Sequence, residues 1–134
     1  MVKYMISYPI ADFLIRIKNA TLAGKKSVLV PYSHFKENLA NILQDEALVK
    51  KVEVISEESK KNLLVTLNRE GEKVLPITVK IISKPGRRVY LKAKNLAVFR
   101  RGRGITILST PAGLMTDREA LKKKLGGEVI CKIV

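Results

Sequence analysis

The sequence predicts an α+β fold, with an N-terminal α/β lobe packed on a C-terminal β-rich lobe that contains one short capped helix. Three observations support this prediction. Apolar residues in the first half recur twice at helical spacing, short β-branched segments follow them, and basic charge is concentrated after residue 83. The 134 residues suffice for one domain or for two small lobes that share an interface. We expect the N-terminal lobe over residues 1–83 and the C-terminal lobe over residues 84–134.

Two amphipathic helices are predicted in the N-terminal lobe. The first has apolar residues at i, i+3, i+4 and i+7 spacing: Ile10, Phe13, Leu14 and Ile17. Pro9 is expected at its first position and Gly24 at its end. After a short strand over residues 27–32, Ser33 is expected to cap the second helix. The apolar face of that helix is Phe35, Leu39, Ile42 and Leu43.

Three strand segments complete the predicted N-terminal order α-β-α-β-β-β. They cover residues 48–56, 61–68 and 76–82, and polar turns separate them. This order predicts helices that cover one face of a small, largely antiparallel sheet.

The C-terminal lobe is predicted to be mostly strand. Its segments are a strand over 89–93, a turn of helix over 95–101, and strands over 105–109 and 129–134. Thr116 and Glu119 have the spacing of a capping box, which predicts a short helix before the last strand. Gly126 is expected to end this helix in the left-handed conformation.

The charge of the chain indicates a polyanionic partner. The formal net charge is +14, and residues 84–134 carry 13 basic and 3 acidic side chains against 13 and 9 in residues 1–83. A charge this large points to phosphate polymers or anionic membranes. No apolar run approaches the roughly 18 residues of a membrane span, so we expect no membrane partner.

No catalytic or metal-binding constellation is evident. His34 is the only histidine and Cys131 the only cysteine, which removes an intramolecular disulfide and most metal or nucleophilic sites. A single cysteine also fits a reducing cytoplasm. The segment Gly102-Arg103-Gly104 precedes a strand rather than a helix, so it fails the context of a nucleotide-binding loop. We expect no enzyme activity, cofactor, metal or small-molecule substrate.

The segment from Ser109 to Gly113 is the strongest candidate for a binding site. It is a small hydroxyl-bearing turn in the basic lobe, although ordinary connecting turns have a similar composition. Duplex RNA displays 2′-hydroxyls and base edges in a wide, shallow minor groove, where short hydroxyl side chains can donate and accept. We expect Ser109 and Thr110 to contact that groove, Pro111 to stiffen the turn and Gly113 to permit close approach.

Basic side chains of the same lobe are expected to support this contact. These further candidate RNA-binding residues are Lys84, Arg87, Arg88, Arg118 and Lys122. The basic residues would bind phosphates, which positions the RNA without reading its sequence. The run Lys122–Lys124 is equally well explained as a solvated helix end that complements the helix dipole.

Three motifs resemble one known family. Residues 104–131, GITILSTPAGLMTDREALKKKLGGEVIC, resemble the C-terminal signature of the bacterial small-subunit ribosomal protein number eight family. Residues 84–90, KPGRRVY, resemble its Pro-Gly-x-Arg-x-Tyr segment, and residues 8–20, YPIADFLIRIKNA, resemble its opening helix. The motifs occur in the family's order and cover essentially the whole chain, and the C-terminal motif is the most specific.

The resemblance implies a structural constituent of the small ribosomal subunit. Such a protein binds the central domain of 16S ribosomal RNA at the minor groove of a helical junction and helps assemble the subunit platform. The resemblance places Ser109 and Thr110 in that groove, and adds Tyr90 and the Gly126-Gly127-Glu128 turn to the RNA-facing surface. The expected partners are this RNA, neighbouring small-subunit ribosomal proteins and, as in some members, the messenger RNA of the protein's own operon. The expected location is the cytoplasmic ribosome.

Two positions depart from the family's pattern. Ser109-Thr110-Pro111 replaces the usual Ser-Thr-Ser, so any contact from a third hydroxyl is lost. Tyr8 replaces the aspartate before the proline of the first helix, and losing an N-cap costs roughly 0.5–2 kcal/mol.

Two alternative functions remain. An architectural DNA-binding protein is supported by charge alone, since no recognition helix with base-reading side chains is evident. A hydrolase or transferase would depend on carboxylate chemistry, yet the acidic residues lie at caps and turns.

Overall fold

The computed structural model describes residues 2–71, 73–84, 86–96 and 104–134. The chain forms two compact units, one of Asp12–Ile77 and one of Met1–Ala11 together with Thr78–Val134. The predicted α+β class is confirmed, with helices and a sheet in the N-terminal part and mostly strands in the C-terminal part. The lobe boundary predicted after residue 83 stays a prediction.

Helix α1 (Val2–Leu22) begins seven residues before its predicted start. Pro9 lies inside the helix, so its expected place at the first position is wrong. Proline favours the first turn because it lacks an N–H, but here the helix continues through it without that one backbone donor. Gly24 ends the helix as predicted, with a φ of 73° and its amide 3.2 Å from the Thr21 carbonyl. The four predicted apolar residues are all buried.

Helix α2 (His34–Asp45) begins where the sequence predicts. The Ser33 hydroxyl accepts a hydrogen bond from the Lys36 amide at 3.1 Å and caps the helix. Leu39 and Leu43 are buried, whereas Phe35 is 42% exposed. Phe35 is therefore not part of the buried face, although it lies one turn before Leu39.

The N-terminal sheet has three antiparallel strands in the order β1-β3-β2. Their bounds are Ser27–Pro31 for β1, Val49–Glu57 for β2 and Lys60–Leu67 for β3. Alternate residues of β3 face the core, with Leu63, Val65 and Leu67 buried. A small hairpin that the sequence did not predict follows, formed by β4 (Arg69–Glu70) and β5 (Lys73–Val74).

The C-terminal sheet has five strands, and all its described pairings are antiparallel. Its order is β6-β10-β8-β9, and β7 also pairs with β10. The bounds are Val79–Ile81 for β6, Tyr90–Leu91 for β7, Ile105–Thr110 for β8, Gly113–Thr116 for β9 and Gly127–Ile133 for β10. The strand predicted over 76–82 is β6, which is shorter and joins this sheet rather than the N-terminal one.

The structure describes only part of the segment between β7 and β8, so only part of its predicted secondary structure can be compared. A 3-10 helix spans Ala93–Asn95 and ends the strand predicted over 89–93. The helical turn predicted over 95–101 lies outside the described residues beyond Leu96. Leu96 itself is buried and belongs to the core of the C-terminal sheet, whose other members are Leu108, Met115, Ala120 and Val129.

Helix α3 (Asp117–Lys123) has the predicted N-cap, since the Thr116 hydroxyl accepts from the Glu119 amide at 3.2 Å. The predicted C-terminal stop at Gly126 is wrong. The left-handed residue is Lys124, with a φ of 56°, and the Leu125 amide closes the last turn by donating to the Ala120 carbonyl at 2.9 Å. Within the described ranges, no helix has the length and apolarity needed to cross a membrane.

Candidate nucleic-acid interface

The predicted binding segment from Ser109 to Gly113 is part of a tight β-hairpin rather than a five-residue turn. Thr110 pairs with Gly113 across β8 and β9, so the loop consists of Pro111 and Ala112 alone. Strand β9 was not predicted, because Gly113 was assigned to the turn and Thr116 to the cap of the following helix. Gly113 has a φ of 114°, which favours glycine at the start of the return strand.

The Thr110 hydroxyl is already engaged within the hairpin. It donates to the Gly113 carbonyl at 2.8 Å and accepts from the Ala112 amide at 3.2 Å. Thr110 is only 8% exposed, whereas Ser109 is half-buried. Of the two predicted groove contacts, Ser109 is therefore the more accessible, and Thr110 holds the loop closed.

Strand β10 brings Ser109 and Tyr90 to the two sides of one residue. Glu128 is the direct partner of Ser109 on β8 and of Tyr90 on β7. Side chains of directly paired antiparallel residues lie on the same face of a sheet. The three side chains therefore form one row across the sheet, which we call the Tyr90–Glu128–Ser109 row. Tyr90 is 53% exposed, and Glu128 is 2% exposed.

An ion pair lies at the centre of this row. Arg88 Nη1 is 3.3 Å from Glu128 Oε1 and 3.4 Å from Oε2. Both side chains are largely withdrawn from water, with exposed fractions of 17% for Arg88 and 2% for Glu128. A buried carboxylate requires such a partner, because removing a charge from water without compensation costs several kcal/mol or more.

The two glycines before Glu128 permit close packing of neighbouring backbone. A Cβ on Gly126 would overlap the Leu91 carbonyl oxygen, and a Cβ on Gly127 would overlap the Ser109 carbonyl oxygen. The need for glycine at both positions is thus steric, since neither has a positive φ. Gly127 in particular sets the distance between β10 and the end of β8.

Lys84 and Arg87 lie on a short hairpin that leads to β7. Each donates its amide to the other's carbonyl at 2.9 Å, and both residues are exposed. Behind them the buried Ser83 hydroxyl accepts from the Val89 amide at 3.0 Å. This fixed hairpin leaves Arg87 in solvent and turns Arg88 towards Glu128.

Helix α3 carries the remaining predicted basic contacts. Arg118 and Lys122 are exposed. The buried Asp117 in the first turn accepts from the Thr106 amide at 3.4 Å and ties the helix to β8. Lys123 lies 3.5 Å from Glu119 one turn earlier, which supports the structural reading of that lysine within the run 122–124.

The structure thus brings some of the predicted site residues together at one strand, whereas the exposed basic residues before β7 and on α3 do not belong to that group. Members of the Tyr90–Glu128–Ser109 row, with Arg88 and Gly127, meet at the start of β10. The Arg88–Glu128 pairing was missed, although one sequence signal was available. Glu128 is one of only three acidic residues after residue 83 and begins an apolar segment, which favours a buried charge with a basic partner.

The titratable chemistry of the described residues is limited. Burial raises the pKa of the Cys131 thiol to about 12, against the opposing effect of a hydrogen bond with the Ile107 backbone. A thiol with so high a pKa is a poor nucleophile. No cluster of three or more His, Cys, Asp or Glu side chains that could hold a metal occurs within residues 2–71, 73–84, 86–96 and 104–134.

Comparison with known proteins identifies the family. The model of the family described as "Ribosomal protein S8" matches residues 8–134. Small ribosomal subunit protein uS8 of Thermus thermophilus is 46% identical over 137 aligned positions, which cover 96% of this chain and 99% of the relative. The uS8 proteins of Pelagibacter ubique and Streptococcus sanguinis are 43% and 47% identical, over 96% and 93% of this chain and 98% and 96% of their own lengths. The chain therefore belongs to the ribosomal protein S8 family, whose members are structural, non-enzymatic proteins of the small ribosomal subunit.

Proposed function

We propose that this chain binds the central domain of 16S ribosomal RNA in the cytoplasm and helps assemble the platform of the small subunit. The observation that carries the proposal is the Tyr90–Glu128–Ser109 row. It places an exposed aromatic ring and an accessible hydroxyl on one face of the most basic part of the chain. Family membership supports a ribosomal RNA as the partner.

Ser109 is the residue proposed to read the RNA groove. Its short hydroxyl can donate to or accept from a 2′-hydroxyl or a base edge in the shallow minor groove of duplex RNA. Thr110 is a second proposed contact, because a hydroxyl has two acceptor lone pairs and the Ala112 amide uses one of them. Gly113 keeps the loop free of a side chain that would hold the RNA away, and Gly126 and Gly127 support the contact by letting the Leu91 and Ser109 backbone pack closely against β10.

Exposed basic residues are proposed to bind phosphates around the row. Lys84 and Arg87 extend from the hairpin before β7, and Arg118 and Lys122 extend from α3. Tyr90 is proposed to stack on a base or hydrogen-bond to the ribose at the edge of the sheet. Neighbouring small-subunit ribosomal proteins and the messenger RNA of the protein's own operon are further proposed partners.

A titration with a central-domain 16S RNA fragment tests the proposal. We expect Ser109→Ala to raise Kd by about fivefold, the equivalent of one hydrogen bond of ~1 kcal/mol. The slope of log K against log salt should stay unchanged, because the hydroxyl releases no counterion. Arg87→Ala should instead reduce the magnitude of that slope by about 0.7–0.9. Ser27→Ala is the matched control, since Ser27 is an exposed strand serine in the N-terminal sheet.

The same titration includes a duplex DNA of equal length as competitor. If DNA displaced the RNA fragment at equal concentration, the architectural DNA-binding alternative would replace the proposal. Platform assembly has its own measurement, the reconstitution of small subunits with and without this chain. Unchanged platform formation without the chain would contradict that part of the proposal.

A further inference from the structure

We infer that Ser83 is a positioning residue for RNA binding, whose buried hydroxyl holds the hairpin of residues 84–87 in place so that Lys84 and Arg87 meet phosphates together. This inference rests on the proposed function, in which these two basic residues are phosphate contacts. Ser83 itself is only 2% exposed, so it presents almost no surface to RNA. Its role is therefore exerted through the residues that it holds.

The Ser83 hydroxyl bonds to both backbone groups of one residue beyond the hairpin. It accepts from the Val89 amide at 3.0 Å and donates to the Val89 carbonyl at 3.4 Å. Between these two residues, Lys84 and Arg87 exchange both of their backbone hydrogen bonds at 2.9 Å. Such an exchange recurs at every second residue of an antiparallel ladder, which would make Ile82 the next partner of Val89. The Ser83 hydroxyl supplies the Val89 contacts of that next pair.

The backbone on both sides of the hairpin is bonded to β10. Ile82 and Ser83 donate their amides to the Ile130 carbonyl at 3.0 and 3.4 Å. Val129 in turn donates its amide to the Val89 carbonyl at 2.8 Å. The Ser83 hydroxyl bonds one end of the hairpin directly to the other, and so it fixes the spacing at the base of the hairpin.

The hairpin presents two cations on a short segment. Lys84, Gly86 and Arg87 are exposed, and a hairpin of two strands is only marginally stable in water without further support. Ordering a loose segment on binding costs conformational entropy, which lowers affinity. A hairpin that is fixed at its base has met this cost during folding. Removal of the Ser83 hydroxyl should therefore weaken phosphate contacts that Ser83 does not make.

The salt dependence of RNA binding tests this role, because Ser83 has no charge. Ser83→Ala should raise the Kd for the central-domain 16S RNA fragment by about fivefold, a coupling typical of residues in one network. It should also reduce the magnitude of the slope of log K against log salt by about 0.7–0.9, the contribution of one phosphate contact. A direct RNA contact by the hydroxyl would leave that slope unchanged. A role in folding alone would also leave it unchanged, because Kd is calculated from the active fraction.

A double-mutant cycle assigns the effect to the hairpin. In the Lys84→Ala/Arg87→Ala background, Ser83→Ala should change Kd by less than about twofold, because neither cation remains to be positioned. If the losses multiplied instead, or if Ser83→Ala left the salt slope at its wild-type value, the inference would be overturned. Should Ser83→Ala fail to fold, Ser83→Cys takes its place, since a thiol fills the site but is a weak donor and acceptor.

Thr21→Val is the matched control for the loss of a buried hydroxyl. Thr21 is 5% exposed, and its hydroxyl donates to the Lys18 carbonyl at 2.6 Å and accepts from the Ile77 amide at 3.5 Å. It belongs to the Asp12–Ile77 unit, which contains none of the proposed phosphate contacts. Its Kd and salt slope should equal those of wild type. A slope reduced as in Ser83→Ala would make the effect a general one of lost buried hydroxyls, and the inference would not stand.

The proposed function can fail separately from this inference. Its failure would appear in the wild-type protein, as equal binding of the RNA fragment and of duplex DNA, or in Arg87→Ala, as an unchanged salt slope. Failure of the inference would appear in the Ser83 variants alone, while the wild type still prefers RNA and Arg87→Ala still lowers the slope.

Discussion

Gly127 lies so close to Ser109 that the strand pairing leaves no room for a side chain. A Cβ on Gly127 would overlap the Ser109 carbonyl oxygen and crowd the Thr110 Cα. Gly127→Ala should therefore force β8 and β10 apart and destabilise the protein by about 1–3 kcal/mol. Urea unfolding measures this loss, and RNA affinity should fall with it because Ser109 moves.

Gly86→Ala is the matched control for this change. A Cβ on Gly86 meets nothing within 4 Å, and its φ is not in the left-handed region. We expect its stability to stay within about 0.5 kcal/mol of wild type. If the two alanine variants were equally stable, β8 and β10 could move apart to admit the Gly127→Ala side chain without a loss in the free energy of unfolding.

The Thr110 hydroxyl should stabilise the β8–β9 hairpin independently of RNA. Thr110→Val keeps the shape of the side chain but removes the bonds to Gly113 and Ala112. We expect a loss of about 1 kcal/mol and faster hydrogen exchange at the Ala112 amide. Thr110→Ser retains the hydroxyl and should keep that amide protected. Unchanged exchange in the valine variant would mean that the hairpin does not depend on this hydroxyl.

Local chemistry explains which features were predictable from the sequence. Ser33 and Thr116 were predicted as N-caps, and both accept the expected amide hydrogen bond. The cap depends on residues within one turn, so a short segment of sequence contains the whole signal. The strands over 48–56 and 61–68 were predicted for a similar reason, since they are neighbours in sequence and pair directly.

Long-range pairing explains which features of the site were not predictable. The Arg88–Glu128 pair joins residues 40 positions apart, and the Tyr90–Glu128–Ser109 row depends on the register of three strands. The tight approach of Gly126 to Leu91 likewise exists only in the folded sheet, so sequence reasoning attributed Gly126 to a helix end. The candidate residues could be selected from the sequence, but their division into exposed contacts and internal supports could not.

Removing the cap of α2 should affect stability without affecting RNA affinity. Ser33→Ala deletes the acceptor of the Lys36 amide, which should cost about 1 kcal/mol. Ser33→Asp supplies another acceptor and should stay close to wild type. Ser33 belongs to the Asp12–Ile77 unit, whereas the proposed RNA contacts belong to the other unit. Calorimetric Tm and RNA titration well below that temperature measure the two effects, and a raised Kd for Ser33→Ala would place α2 in the binding surface.

The buried Cys131 thiol should make the protein less stable as pH rises above about 9. Burial raises its pKa from 9.0 to about 12, so the folded state keeps the proton that the unfolded chain releases. The unfolded state is therefore favoured by about 1.4 kcal/mol per pH unit between these two values. Urea unfolding at pH 8 and pH 10 of wild type and Cys131→Ala isolates this contribution, because lysines and tyrosines titrate equally in both proteins. The alanine variant should be less stable at pH 8 through its lost packing, and the gap should narrow at pH 10. A gap that stayed constant would mean that the thiol ionises equally easily in the folded and unfolded states.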